Sequence, residues 1–239
     1  MSFWGLYSCF YDLSLRNLFP YRQLLDDLNT ALAVNDGEAL LDAGCGSGAV
    51  IEKVVRENTG KTISITGVDS SRGMIRRARR RCRDFPDVIL LAADLNTDLG
   101  FPDDCFDKVV CSNVLYALKN PEGVLSEFYR VLRPGGTLVI ANPKPCAGEK
   151  ELVREHLRIL RGLAPFRRRV HHVLISVLLI PVNLVVAIMN RIILGKAENR
   201  EYHFLDSDSL SEILRRVKFR SIKMSSCYAD QDWLVTAQK

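Results

Sequence analysis

The chain has 239 residues, 47% of them hydrophobic and 26% charged, with a formal net charge of +5. That length suits one sizeable domain, the composition excludes a disordered or collagen-like chain, and so small a net charge gives no support by itself to a nucleic-acid partner. Seven cysteines, odd in number and without a C-x-x-C pair, argue for reduced thiols and against a disulfide framework or a zinc site, so no metal is expected.

In chain order, residues 1–34 read as helical: Tyr7, Phe10 and Tyr11, then Leu24, Leu25, Leu28 and Leu32, fall at helical spacing, and Pro20 marks a break. Such a segment either caps a ligand or packs plainly on a sheet. No basic region precedes Phe3-Trp4, and Asp12 and Arg16 interrupt the apolar residues. No signal peptide is therefore expected, and the chain is expected on the cytoplasmic side. Asn35-Asp36-Gly37 then turns into a first strand, Ala39 to Asp42.

Leu40 to Gly48 is the most informative stretch. An apolar run ends in Asp42, and Gly44, Gly46 and Gly48 follow at alternate positions before an amphipathic helix, which is the pattern of a strand, a tight turn and a helix N-terminus against a ligand. A dinucleotide fingerprint reads G-x-G-x-x-G and offers amides to a pyrophosphate. Here the spacing differs, and a carboxylate two residues before the first glycine repels a pyrophosphate. It suits a cation such as the amino and sulfonium groups of S-adenosylmethionine. A glycine-rich turn without a ligand is the plainer alternative.

A second strand, Thr62 to Asp69, ends in an acid placed to accept from both ribose hydroxyls of a nucleoside, or to cap the next helix if Ser70 or Ser71 does not. That helix carries Arg72, Arg76, Arg77, Arg79, Arg80, Arg81 and Arg83, which suit either solvent or anionic lipid headgroups. No aromatic residues are interleaved for stacking bases, so nucleic acid is not the expected partner. A third strand, Val88 to Ala93, leads to Asp94, placed to accept from an adenine amino group. A fourth, Phe106 to Ser112, leads to Asn113-Val114-Leu115-Tyr116, beside the place of a transferred group. Leu125 to Leu132 reads as a helix, Arg133-Pro134-Gly135-Gly136 as its stop, and Thr137 to Asn142 as a fifth strand. This alternation predicts an α/β fold with a parallel sheet, helices on both faces and the ligand over the strands' carboxyl ends.

Leu41 to Gly48, Gly67 to Ser71, Ala93-Asp94-Leu95, Phe106 to Val110 and Arg130 to Gly136 together resemble the class I S-adenosylmethionine-dependent methyltransferases over residues 38–142. Tyr11-Asp12 is similar to the opening of the ubiquinone and menaquinone C-methyltransferases and of bacterial phospholipid N-methyltransferases. The resemblance implies a Rossmann-like, doubly wound, seven-stranded sheet with one antiparallel strand near the C-terminus, closed by Ser221 to Ser226 and Trp233 to Gln238. It implies that Asp42, Gly44 and Gly46 hold the methionine portion of the cofactor, Asp69 the ribose, and Asp94 with Leu95 the adenine edge. Cys45, Gly48, Ser70 and Asn113 complete the expected cofactor set. It names no catalytic residue.

Between residues 143 and 203 the chain departs from the compact pattern with an inserted segment, expected to be helical and to act as a lid or a membrane-contact element within one domain spanning 1–239. Arg167-Arg168-Arg169 and His171-His172 precede Val173 to Met189, in which twelve of seventeen residues are Leu, Ile or Val and Pro181 lies at the middle. Seventeen helical residues reach about 26 Å, short of a hydrocarbon core of about 30 Å. A single crossing would also leave the last two strands across the bilayer from their sheet, so we expect no span. The expectation is interfacial membrane contact through residues 167–196, with a buried lid or a homodimer seam as the alternative. Arg169, Ser176, Asn183 and Asn190 recur every seven residues as one polar stripe that can face the site.

The expected reaction is methyl transfer to a lipophilic small molecule, a quinone or lipid, at the inner face of the membrane. Two alternatives are a soluble acceptor and a cofactor-binding regulatory protein without turnover. If a base is needed, the candidates are Tyr7, Tyr11, His171, His172 and His203, the histidines serving otherwise as solvated or helix-capping residues.

Overall fold

The computed structural model describes residues 13–15, 17–145, 148–198 and 202–239. Seven strands form one sheet in the order β3-β2-β1-β4-β5-β7-β6: β1 Ala39–Ala43, β2 Ser64–Asp69, β3 Val88–Ala92, β4 Phe106–Ser112, β5 Leu132–Pro143, β6 Arg220–Cys227 and β7 Asp232–Gln238. Every neighbouring pair among the first five is parallel, and β7 alone runs against its neighbours. The expected Rossmann-like sheet with one antiparallel strand near the C-terminus is therefore present.

Helices cover both faces. On one lie α1 Phe19–Leu32, α2 Ala49–Glu57 and α3 Arg72–Arg81, and on the other α4 Pro121–Val131 and α8 Ser207–Arg216. In α1, Leu24, Leu28 and Leu32 recur every four residues and are fully buried, so one helical stripe supplies the contact with the sheet. Pro20, read from sequence as a break, sits in the first turn of α1, where its missing N–H costs no helical bond. Helix α4 begins at Pro121, earlier than expected, because Asn120 caps it by accepting from the Gly123 amide at 3.0 Å. Arg133 to Gly136 lies inside β5, at an irregularity in its register with β4.

The inserted segment is three helices, α5 Glu149–Gly162, α6 Phe166–Leu178 and α7 Ile180–Glu198. Helices α6 and α7 meet at a bend of 53°. Pro181 stands in the first turn of α7, where the chain restarts. No helix among the described residues is long and apolar enough to cross a membrane, although the bent pair has the length and composition together.

The side of this segment that meets the rest of the chain buries Leu160, Leu179, Val186 and Met189 and carries a row of polar contacts beside them. Arg169 Nε donates to the Leu163 carbonyl at 3.1 Å, Ser176 Oγ donates to the His172 carbonyl at 2.8 Å, and Asn183 Oδ1 accepts from Ser14 Oγ at 2.6 Å. Three members of the heptad stripe thus find partners on the protein, with Arg169 and Ser176 half-buried and Asn183 exposed. Other aliphatic residues are left outside, with Leu174, Val177, Leu178, Ile180, Leu184 and Ile188 all exposed. A lid buried wholly against the chain's own core is not what forms.

Candidate active site

The turn after β1 is held across the carboxyl ends of two strands. The amides of Gly44 and Cys45 both donate to the Val68 carbonyl of β2, at 2.8 and 2.9 Å. Gly44 has φ +82°, and a Cβ there would lie 2.3 Å from a Val114 methyl, so neither the backbone nor the space admits a side chain. At Gly46, with φ +53°, an added Cβ would meet nothing within 4 Å, because this residue borders the cavity. Its amide donates to Asp69 Oδ2 at 3.0 Å, while Asp69 Oδ1 accepts from the Ser71 amide at 2.7 Å. Ser71 in turn caps α3 through Oγ, accepting from Met74. From α3, Arg81 reaches back to Ser47, donating to Oγ at 2.7 Å, and pairs with Glu52 of α2 at 3.2 Å. The glycine turn is thus braced from two sides.

These elements enclose a cavity of about 300 Å³, at the lower end of the roughly 300–1,000 Å³ usual for small-molecule sites. Asp42, Asp69 and Asp94 line it, and among the described residues no Lys, Arg or His does. Asp42 is 1% exposed, and its Oδ2 has no hydrogen-bond partner. Burial, with the neighbouring Asp69 adding to it, pushes its carboxyl up to about 8. Burial also raises Asp69, although its two amide donors work the other way. Asp94 Oδ1 accepts from the Asn96 amide at 3.0 Å, which leaves the other oxygen for the cavity. A pocket walled by carboxylates and by no cation selects a ligand that brings positive charge and donors of its own.

The comparisons with known proteins bear on what that ligand is. Residues 41–140 match the family model described as a methyltransferase domain. Over 109 residues the chain is 40% identical to a demethylmenaquinone methyltransferase of Tropheryma whipplei (strain Twist), covering 46% of this chain and 43% of that protein. Over 117 residues it is 35% identical to a phosphatidylethanolamine N-methyltransferase of Cereibacter sphaeroides, covering 47% and 55%. The chain thus spans about half the length of these relatives. The structure superposes on a SAM-dependent methyltransferase from Aquifex aeolicus with a TM-score of 0.60 at 15% identity, covering 90% of this chain and 88% of that one, a likeness of fold. Residues 41–140 carry a methyltransferase domain, and the fold is that of S-adenosylmethionine-dependent methyltransferases.

The residues of this methyltransferase domain fit its cofactor, S-adenosylmethionine. The unpartnered Asp42 oxygen, the open space over Gly46 and the spare lone pairs of Asp69 and Asp94 are complementary to a cation that also carries ribose hydroxyls and an amine. Asp42, Gly44, Cys45, Gly46, Asp69, Ser70, Asp94, Leu95 and Asn113 all line the one cavity. Gly48 does not. A Cβ there would come within 3.2 Å of Cys82 Sγ and 3.3 Å of Ala78 Cβ, so this glycine lets α2 and α3 approach each other.

The histidines are elsewhere. His172 packs edge-on to Phe19 with ring centroids 5.2 Å apart, His171 packs on His172, and His203 donates its backbone amide to the Tyr116 carbonyl at 2.6 Å. None of the three lines the cavity. A fourth, His156, fastens α5 to α1: its Nδ1 accepts from the Phe19 amide at 3.3 Å, and its Nε2 lies 3.1 Å from Ser176 Oγ. Tyr7 and Tyr11 lie outside the described residues. Tyr21, Met74 and Asn96 line the cavity without having been singled out from sequence, and so does Tyr116, named there for its place just after β4.

Proposed function

We propose that the chain transfers the methyl group of S-adenosylmethionine to a lipophilic small molecule, a quinone or a lipid, at the cytoplasmic surface of a membrane. The observation that carries this reading is the two-sidedness of α7. Its outer face is aliphatic and open, while its inner residues Val186 and Met189 pack with Tyr116, a wall of the cavity. Membrane contact and the route to the cavity then share one helix. The similarity to a demethylmenaquinone methyltransferase and to a phosphatidylethanolamine N-methyltransferase supports the same class of acceptor.

In this reading Asp42 holds the positive end of the cofactor, Asp69 its ribose and Asp94 with Leu95 its adenine edge. When bound, the cofactor supplies an electrophilic methyl group on a good leaving group. The chain's own contribution is alignment and exclusion of water, by Tyr21, Tyr116 and the apolar wall of Val114 and Leu118. Burying the exposed aliphatic residues of α6 and α7 in an interface contributes on the order of 10 kcal/mol before ordering costs.

A second reading is favoured by the same exposed face: it suits a second copy of the chain, with a water-soluble acceptor. The test supplies protein and methyl-labelled cofactor either with vesicles carrying extracted quinones and phospholipids or with a water-soluble metabolite fraction. Label in the vesicle lipids supports the proposal. Label only in the soluble fraction, with a dimer by sedimentation, supports the second reading and overturns the first.

A further inference from the structure

The start of α1 has no capping side chain of its own. Leu18 holds the cap position, and its side chain has nothing with which to accept. In the first turn Pro20 has no amide hydrogen, and the amides of Tyr21 and Arg22 both donate to the Leu18 carbonyl, at 3.1 and 3.3 Å. The Phe19 amide is left over, and its acceptor comes from another helix: Nδ1 of His156 on α5, at 3.3 Å.

That contact fixes the protonation of the imidazole. A ring nitrogen that accepts from an N–H carries no proton, so the hydrogen of a neutral His156 stands on Nε2, which lies 3.1 Å from Ser176 Oγ of α6. Ser176 gives its own hydrogen to the His172 carbonyl at 2.8 Å, and its lone pairs are then open to the one from Nε2. Both bonds call for the same tautomer. Through it α1, α5 and α6 are joined at one half-buried ring.

Among the described residues, the charged and ionisable groups facing this ring are cations or imidazoles. From α1, Phe19 stacks on His156 with centroids 5.2 Å apart, and Arg22 lies over the Phe19 ring at 5.4 Å. From α6, His172 meets Phe19 edge-on, with His171 and Arg168 beside it. On α5 the adjacent carboxylate, Glu155, accepts from Arg158 Nε at 2.7 Å. Burial, then His172 and Arg22, hold the His156 imidazole below its ordinary 6.5.

We propose that His156 is a proton-operated latch on the cofactor cavity: as a neutral imidazole it holds the start of α1 against the inserted helices, and on taking a second proton it lets that start go. The segment it holds is cavity wall. Leu15, whose carbonyl accepts from the Leu18 amide at 3.0 Å, and Tyr21 line the cavity on either side of Phe19 in the chain. An imidazolium carries N–H on both nitrogens, so Nδ1 meets the Phe19 amide donor to donor, and Arg22 and His172 repel the added charge. The ring binds this proton more weakly in the folded chain than in the unfolded one. The latch is therefore complete above about pH 6.5 and is lost as pH falls through the lower, folded value. It needs only the cofactor site and holds for any acceptor.

The test uses the whole chain with two variants: His156→Gln, whose amide can accept from Phe19 and donate to Ser176 without titrating, and His156→Leu, which can do neither. In wild type, imidazole nitrogen NMR should place the His156 proton on Nε2 at neutral pH and give a midpoint below 6.5. Exchange protection of the Phe19 amide, corrected for the intrinsic effect of pH, should fall about five-fold from about pH 7.5 to about pH 5 in wild type, stay level in His156→Gln and be low throughout in His156→Leu. Affinity for S-adenosylhomocysteine should weaken over that range by a further factor of about five in wild type than in His156→Gln. Asp42 gives both chains the same underlying slope, so the difference between them reads His156. A proton on Nδ1 at neutral pH, a Phe19 amide equally protected at both ends of the range, or parallel affinity profiles in wild type and His156→Gln overturns the proposal. If His156→Leu does not fold, the tautomer and the comparison of wild type with His156→Gln still decide.

Discussion

Asp42 carries a cost in the ligand-free chain that its ligand should remove. Its carboxyl is raised from an ordinary 3.8 to about 8, first by burial and then by Asp69, so the folded chain binds a proton there that the unfolded chain has released. Stability is then lost as pH rises from about 4 toward 8. Asp42→Asn should raise the melting temperature of the ligand-free protein at pH 8 by about 5–10 °C, an advantage that shrinks toward pH 4. The same variant should lose cofactor binding. In wild type, binding at pH 7 should release close to one proton, read by calorimetry in buffers of different ionisation enthalpy. Release near zero would mean that Asp42 is not the group facing the cation.

The glycines divide in a similar way. Gly44→Ala meets both a Val114 methyl at 2.3 Å and a positive φ, so its loss should show in the melting temperature. Gly46→Ala meets only the φ, a folding cost of about 1 kcal/mol, and its loss should show chiefly in cofactor affinity. Equal effects of both on affinity and melting would contradict this division. These positions were legible in the sequence because a glycine turn with an acid before it and another at the end of the next strand is a local pattern. The packing of Tyr116, itself named from its place after β4, against α7 was not, because it depends on α7 closing over that turn. No spacing along the chain records that event.

The inserted helices show what element-scale reading can and cannot supply. Heptad recurrence of Arg169, Ser176 and Asn183 identified one polar stripe, yet periodicity does not say which way a stripe points. The decision belongs to partners supplied from elsewhere, Ser14 before α1 and His156 on α5, which draw the stripe inward. Leu179 is consequently buried and Val185 half-buried, so substitutions there test the fold rather than the surface. Leu178, Leu184 and Ile188 are 77%, 62% and 56% exposed. The triple variant Leu178→Glu, Leu184→Glu and Ile188→Glu should keep the melting temperature and cofactor affinity of wild type and fail to float with anionic liposomes. If wild type remains in the soluble fraction as a dimer, the face belongs to a second copy. Tyr116 adds a finer expectation at this scale: Met189→Ala should leave flotation unchanged and weaken cofactor affinity a few-fold, because it loosens the wall behind Tyr116.

At the scale of the whole molecule, strand order constrains how any membrane contact can be made. The insertion leaves from the end of β5 and returns through α8 to β6 and β7, and β7 lies directly between β5 and β6. Both ends of the insertion are therefore fixed to one sheet, on one side of any bilayer. An odd number of crossings would strip β5 of its partner, and the 53° bend between α6 and α7 suits a pair lying in the interface with its aliphatic side down. Dyes attached through Leu178→Cys and Ile192→Cys, in a background with the native accessible cysteines replaced, should both shift to the blue on binding vesicles. A lipid-borne quencher placed shallowly in the outer leaflet should dim both, and a water-soluble quencher trapped inside the vesicles should dim neither. Quenching of either dye from the inside would mean that the bent pair reaches the far leaflet, and the interfacial arrangement would have to be abandoned. If both dyes remain in water while flotation succeeds, the contact is made by another surface, and the route to the cavity along α7 loses its support.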